Sequence, residues 1–468
     1  AKRAKRMIKT TLSTSKRAIF GLVWPQILMM YLLFITNIAP LWVAGKMDAQ
    51  TQAALGLVMQ VIFFLNAFCI ALNAGATAVI SQSMGANRFF RARLYVNISL
   101  ALNFILGALL CFLGLVFKDG IFELLAVPNE AKQIAHSLWE IMIFAMPCAF
   151  IYQGAMVIFR CFGDVITPLF ISACISALNV FLCTGLAFGY FGFSKLGFSG
   201  IGFANVATNV LGCALCLILL LKFGFLKINK KGFLWLFARS IWLKKALPYL
   251  FSVALNSGAN SLIWQGGNLT LFAIVASTPI DQSAALAGLA VGNRIESFLF
   301  TAATAFNMSA AVLVGNCVGR GDFSAARRVS LWLVGSAAVL MSILAILLFP
   351  FRTELSALLS NDKSVIFYSA SYLAYNFIST PFSIASTVFA GVMVGAGAAK
   401  YNLFVFSGTY WLVRIPLAII LAHFVWGDAR GVFGAMLISQ IIQTAWMSYI
   451  FASDKWLKFG MKDFSKQG

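Results

Sequence analysis

Twelve apolar runs, each more than 20 residues long and separated by short polar segments, constrain this 468-residue chain more than any other feature. A hydrocarbon core of ~30 Å takes about 20 helical residues to cross. Only helices or closed barrels satisfy every backbone N–H and C=O in lipid, and these runs lack the ten-residue alternation of barrel strands. The predicted spans lie near 19–43, 54–80, 94–117, 134–159, 166–190 and 200–221, then near 247–276, 284–315, 329–351, 366–394, 401–426 and 432–452. With 61% hydrophobic and 10% charged residues, the chain has lipid as its main solvent and no length left for a separate soluble domain.

The formal charge of +21 would suit a nucleic-acid partner if it were clustered on one face. It falls instead between the runs. Of the 35 Lys and Arg, 26 lie in alternate segments that include both tails, 7 lie in the segments between, and Arg294 and Arg414 fall inside spans. This bias places both termini in the cytoplasm, requires an even span count, and excludes nucleic acid as the reason for the charge. A basic stretch ending at Arg17 precedes the first run, which is too long for a signal-peptide core and lacks a small-residue cleavage site, so it reads as an uncleaved span. The nine cysteines sit in or at the ends of spans as small hydrophobes, the Cys213-x-x-Cys216 pair included.

An offset of 234 residues lays the two halves over one another. Gln82-Ser-Met-Gly85 overlies Asn316-Cys-Val-Gly319, and Asn73, Pro147, Gly163, Gly197 and Gly200 overlie Asn307, Pro381, Gly397, Gly431 and Gly434. Six spans per half return the chain to its starting side, so the repeats are parallel about an axis along the membrane normal. The expected fold is an all-α integral membrane protein of 12 transmembrane helices in two pseudosymmetric six-helix bundles. The expected organisation is a basic N-tail (1–18), an N-terminal bundle (19–221), a cytoplasmic linker (222–246), a C-terminal bundle (247–452) and a C-tail (453–468). Pro147 and Pro381, both mid-span, are expected to kink or break their helices.

Ser81-Gln-Ser-Met-Gly-Ala86, Arg160-Cys-Phe-Gly-Asp-Val-Ile-Thr-Pro168 and Gly391-Val-Met-Val-Gly-Ala-Gly397, in this order within a 6+6 chain, resemble the multidrug and toxic compound extrusion (MATE) family over essentially the whole length. The resemblance implies alternating access and cation-coupled export of amphipathic, cationic or polyaromatic organic compounds from a bacterial inner membrane, with H+ or Na+ as the coupling ion. It implies no cofactor, a monomer embedded in lipid, and no enzymatic activity. The chain departs from the family where its usual coupling carboxylates stand: those positions fall on Pro40, Asn256 and Ser383.

Most of the fourteen acidic residues lie in loops or tails, whereas Glu296 lies three to four turns inside the eighth span. An ionisable group at that depth is costly and marks a functional site by default, because burial and a neighbouring cation push a carboxyl in opposite directions. Arg414 in the eleventh span and Arg294, two residues from Glu296, are its candidate charge partners. Two roles are open to Glu296: carrying the coupling ion, or forming a buried ion pair that only holds the C-terminal bundle together. Candidate cavity residues are Asn37, Asn256, Asn260, Gln265, Asn307 and Asn376, with Asn37 and Asn260 each twelve residues after a proline that opens its half. No His, Cys and carboxylate cluster has metal-ligand spacing. A flippase for a lipid-linked or amphipathic precursor is the alternative function, since that superfamily shares the architecture; such flippases usually line their cavity with several cations.

Overall fold

The computed structural model describes residues 15–124, 129–226 and 240–461. Most of the basic N-tail, the Lys227 to Lys231 run of the linker and the end of the C-tail lie outside the described residues. All regular structure in the described residues is helical: α1 (Lys16–Gly45), α2 (Ala49–Gly85), α3 (Phe89–Val116), the short α4 (Lys118–Leu124), α5 (Asn129–Ile143), α6 (Met146–Cys161), α7 (Ile166–Phe188) and α8 (Phe198–Phe223). Then follow α9 (Ser240–Ala276), α10 (Gln282–Arg320), α11 (Phe323–Leu348), the short α12 (Arg352–Ala357), α13 (Lys363–Gly395), α14 (Ala399–Val425) and α15 (Arg430–Ala452).

Ten of these are single helices long and apolar enough to cross a membrane. An eleventh crossing is a bent pair: Lys132–Ile143 and Met146–Cys161 meet at 52°, with Pro147 in the first turn of the second piece. Proline lacks the N–H that would continue the preceding turn, so the bend falls where the sequence predicts it. The twelfth crossing is α9, which is 37 residues long. It falls short on hydropathy because Asn256, Asn260, Gln265 and Asn268 interrupt its apolar residues.

Pro381 behaves differently, since α13 runs unbroken from Lys363 to Gly395 through it. Hydroxyls bond carbonyls to either side of the proline: those of Ser379 and Thr380 donate to the Asn376 carbonyl (2.9 and 3.0 Å), and Thr444 of α15 donates to that of Phe382 (2.7 Å).

The chain divides into two compact units, Ala1–Ala254 and Leu255–Gly468, with the boundary inside α9. The sequence repeat is visible in the backbone of each. Asn87 (φ 58°) and Gly321 (φ 76°) close the second helix of either half, while Gly163 and Gly397, both at φ 80°, close the fourth. A left-handed residue there lets the next two amides fold back on the helix end, as when Gly163 and Asp164 donate to the carbonyls of Arg160 and Phe159. Four aspartates are used up as helix starts: Asp48, Asp164, Asp322 and Asp362 accept from the amides of Thr51, Thr167, Ala325 and Ser364. The Gly-Asp of the Arg160–Pro168 stretch is therefore a turn and a cap.

In the first unit, Trp139, Phe150 and Phe122 anchor an apolar core with Val43, Leu55 and Val58. Its buried amides are helix-to-helix glue. Asn103 Nδ2 donates to Asn73 Oδ1 (3.2 Å) and Asn179 Nδ2 to Thr208 Oγ1 (3.2 Å). In the second unit α10 and α13 are central: 67% of the most apolar stretch of each is buried, against 28–44% for the other single spans.

Candidate functional site

The second unit is organised by a parallel seam between α10 and α13, and glycines make it. A Cβ on Gly288 would meet Tyr368 Cβ at 2.5 Å, and one on Gly292 would strike the Tyr372 ring. Further along, Cβ atoms on Gly391 and Gly395 would strike the backbones of Asn307 and Ala311. Each helix thus brings its own pair of glycines four residues apart, which lets the backbones close up as membrane helices with small-residue faces do.

The close approach delivers a phenol to the half-buried carboxylate of Glu296. The Tyr372 hydroxyl, on a side chain 1% exposed, donates to Glu296 Oε2 in a very short hydrogen bond and lies 2.7 Å from Asn293 Oδ1. A phenol has one proton and cannot donate to both. The carboxylate is the stronger acceptor, so Asn293 satisfies the arrangement best with its amide turned to donate to the hydroxyl oxygen. Asn293 and Glu296, three apart on α10, share the face toward Tyr372.

Arg414 is the buried cation of the unit, 4% exposed. It closes a π-helical stretch of α14, Gly408–Arg414. Its guanidinium lies 4.3 Å from the centre of the ring of Tyr410, four residues earlier on the same helix. Arg414 Nε donates to Ser439 Oγ of α15 (2.7 Å), and the Tyr410 hydroxyl donates to Asn268 Oδ1 of α9 (2.6 Å). Gly267 gives Tyr410 its room on α9.

Glu296 and Arg414 do not form a direct ion pair. Each is engaged by a tyrosine of its own, Glu296 by the hydroxyl of Tyr372 and Arg414 by the ring of Tyr410. Asn293 joins the first cluster, and Asn268 and Ser439 the second. A direct ion pair would lock two helices together. A carboxylate reached through a single phenol proton can change protonation with a small rearrangement.

Arg294 is exposed on another face of α10 and makes no ion pair among the described residues. Asn376 lines a cleft with Glu296, Tyr372, Phe433 and Gln440. This cleft has a volume of about 10 Å³, room for roughly one water molecule. Gln440 Oε1 is buried there with no partner. Asn307 is spent on structure, its Nδ2 donating to the Thr387 carbonyl across the seam (2.6 Å). Asn256, Asn260 and Gln265 are half-buried on α9, and Asn260 Oδ1 is a buried acceptor without a partner. Asn37 is exposed in the first unit. Sequence reasoning missed Tyr372, Asn293 and Tyr410; the legible signal was the pair of Gly-x-x-x-Gly spacings, 288/292 and 391/395.

A family model described as MatE matches residues 25–184 and 257–420, one match in each half. A probable multidrug resistance protein of Bacillus subtilis, YoeA, is 22% identical over 82% of this chain and 82% of its own length. An FAD transporter of Shewanella oneidensis is 23% identical over 76% of this chain and 77% of its own. Among solved structures, the Vibrio cholerae MATE transporter VcmN in its bent form superposes with a TM-score of 0.85 at 18% identity, covering 98% of each chain. A MOP superfamily transporter from Pyrococcus furiosus, described as having a binding pocket of reversed polarity that suggests a different function, gives 0.87 at 17% identity over 96% of this chain and 98% of its own.

Proposed function

Since the chain belongs to the MatE family of multidrug and toxic compound efflux transporters, we propose that it drives export by antiport with H+ or Na+ and that Glu296 in the C-terminal half carries the coupling ion. The observation that carries this reading is the hydrogen bond from Tyr372 to Glu296 across the α10–α13 seam. Pro40, Asn256 and Ser383 are neutral where carboxylates are expected in the family, which leaves Glu296 as the acid for the task.

With Glu296 ionised, Tyr372 donates to it. With Glu296 protonated, the carboxyl gains a proton that it can donate to the phenol oxygen, which frees the phenol proton for another acceptor. Asn293 and the unpartnered Gln440 Oε1 are the neighbouring amides that can take up the change. Because Tyr372 is wedged against Gly292, a reversal of this bond is felt by the packing of α13 on α10. A bistable seam is what couples an ion to alternating access. In this reading the chain lies in a bacterial inner membrane with both termini cytoplasmic, as the charge bias implies.

The exported compounds are amphipathic organic molecules, cationic or polyaromatic. An anionic aromatic substrate is the second reading, favoured by the buried Arg414 and by the relative named as an FAD transporter. Uptake of a fluorescent organic cation and of FAD into proteoliposomes, under separately imposed proton and sodium gradients, tests both. Accumulation that follows one ion gradient supports antiport. Movement indifferent to both gradients contradicts it and favours a flippase or facilitator.

A further inference from the structure

At the end of the second unit away from the α10–α11 turn lies a cavity of about 650 Å³. Three cations surround it: Arg352 at the start of α12, Lys363 at the start of α13 and Arg430 at the start of α15. Arg430 is neutralised by Asp428, 2.5 Å away and itself buried. Arg352 and Lys363 pair with no carboxylate among the described residues. Of the acids nearest in sequence, Asp362 has an oxygen accepting from the Ser364 amide (2.8 Å) as the cap of α13, and Glu354 is exposed on α12. Arg352 is held in place, its Nη1 donating to the Phe349 carbonyl (3.1 Å) and its guanidinium lying 4.7 Å from the centre of the Phe349 ring. The mouth of the cavity therefore carries two positive charges that form no ion pair among the described residues.

Most of the remaining wall runs along one helix, with Ser371 and Tyr375 beside an apolar stripe. Ile366, Ala370, Ala374 and Ile378 line it at a strict four-residue spacing on α13. Over twelve residues this stripe extends about 18 Å, close to the depth of one leaflet of a ~30 Å hydrocarbon core. Two alanines between two isoleucines make it a trough instead of a ridge. A free anion would use only the charged mouth, and a neutral lipid only the trough.

We propose that this cavity binds an anionic phospholipid, with its phosphate on Arg352 and Lys363 and an acyl chain along the Ile366–Ile378 stripe. By the charge bias of the loops this is the outer leaflet. The site is independent of the coupling role of Glu296 and stands or falls without it.

Native mass spectrometry of the full-length protein, titrated with phosphatidylglycerol or phosphatidylcholine, tests the proposal. Wild type is expected to retain phosphatidylglycerol over phosphatidylcholine. The double variant Arg352→Gln/Lys363→Gln is expected to bind phosphatidylglycerol about 30-fold more weakly, the effect of removing two basic charges from an anionic headgroup. Arg352→Lys/Lys363→Arg, which keeps both charges, is expected to retain most of the binding. If the double Gln variant does not fold, Lys363→Gln alone, at an exposed helix start, is expected to weaken binding about 5-fold. Equal affinity of wild type and the Gln variants for phosphatidylglycerol, or equal affinity of wild type for both lipids, overturns the proposal. Displacement of the lipid by millimolar inorganic phosphate also overturns it, because the site would then read a free phosphate and the trough would contribute nothing.

Discussion

The hydroxyl of Tyr372 donates to the carboxylate of Glu296 across a seam so close that Gly292 has no room for a methyl group. The contact ties the one deeply placed acid of the C-terminal half to the packing of its two central helices. Replacing Tyr372 with Phe removes the donor while keeping the ring and its edge-to-face contact with Phe433, 5.3 Å between centres. A hydrogen bond to a charged group is worth ~1.5–3 kcal/mol, so gradient-driven transport by Tyr372→Phe should fall by about tenfold or more. Initial rates in proteoliposomes measure this, with expression and melting temperature close to wild type.

The seam itself is tested by Gly292→Ala. The added methyl meets the Tyr372 ring, and overpacking of this kind costs about 1–3 kcal/mol. The melting temperature should drop clearly. Gly292→Ala combined with Tyr372→Leu should be less destabilised than the two single changes summed, since residues in contact couple by about 0.5–3 kcal/mol.

Arg414 is a second test within the same unit. Lys preserves the charge but not the planar stack on Tyr410 or the Nε bond to Ser439. Arg414→Lys should therefore transport slowly, and Arg414→Gln should not transport under a gradient. If Arg414 acts through Glu296, then Arg414→Gln/Glu296→Gln should be no worse than either single variant, which the same rate measurement reads out.

These tests sit where the sequence was partly legible. Glu296 stood out because an acid inside an apolar run has no cheap explanation. Tyr372 did not, because a tyrosine in a span has the same local pattern whether it faces lipid or a partner 76 residues earlier in the chain. Tyr410 was hidden for the same reason, its partner Asn268 lying 142 residues earlier in the chain. The sequence repeat, by contrast, carried through to the backbone, since left-handed turns at Asn87, Gly321, Gly163 and Gly397 are decided locally. Pro147 and Pro381 share a repeat position, yet only the first bends its span. Pro147 stands in the first turn of a new helix piece and Pro381 in the interior of a continuous one, a distinction that a linear reading cannot make.

Asp322 gives a prediction outside the membrane. The Ala325 amide, then the Ser324 hydroxyl, hold its carboxyl below the usual aspartate range. A carboxyl lowered in the folded state contributes stability that is present above its unfolded value, ~3.9, and is lost as pH falls through the folded one. Asp322→Ala should cost about 1 kcal/mol near neutral pH as a lost cap. The gap in melting temperature between wild type and variant should narrow as the pH is taken below about 4.

The central claim, that Glu296 carries the coupling ion, is tested most directly by comparing two modes of transport in Glu296→Gln. Gradient-driven accumulation requires the ion site, whereas exchange of labelled for unlabelled substrate at equal ion concentrations requires only substrate binding and alternating access. The account predicts that Glu296→Gln loses accumulation under proton and sodium gradients alike while retaining exchange. Accumulation at the wild-type rate and with the wild-type pH dependence would contradict it.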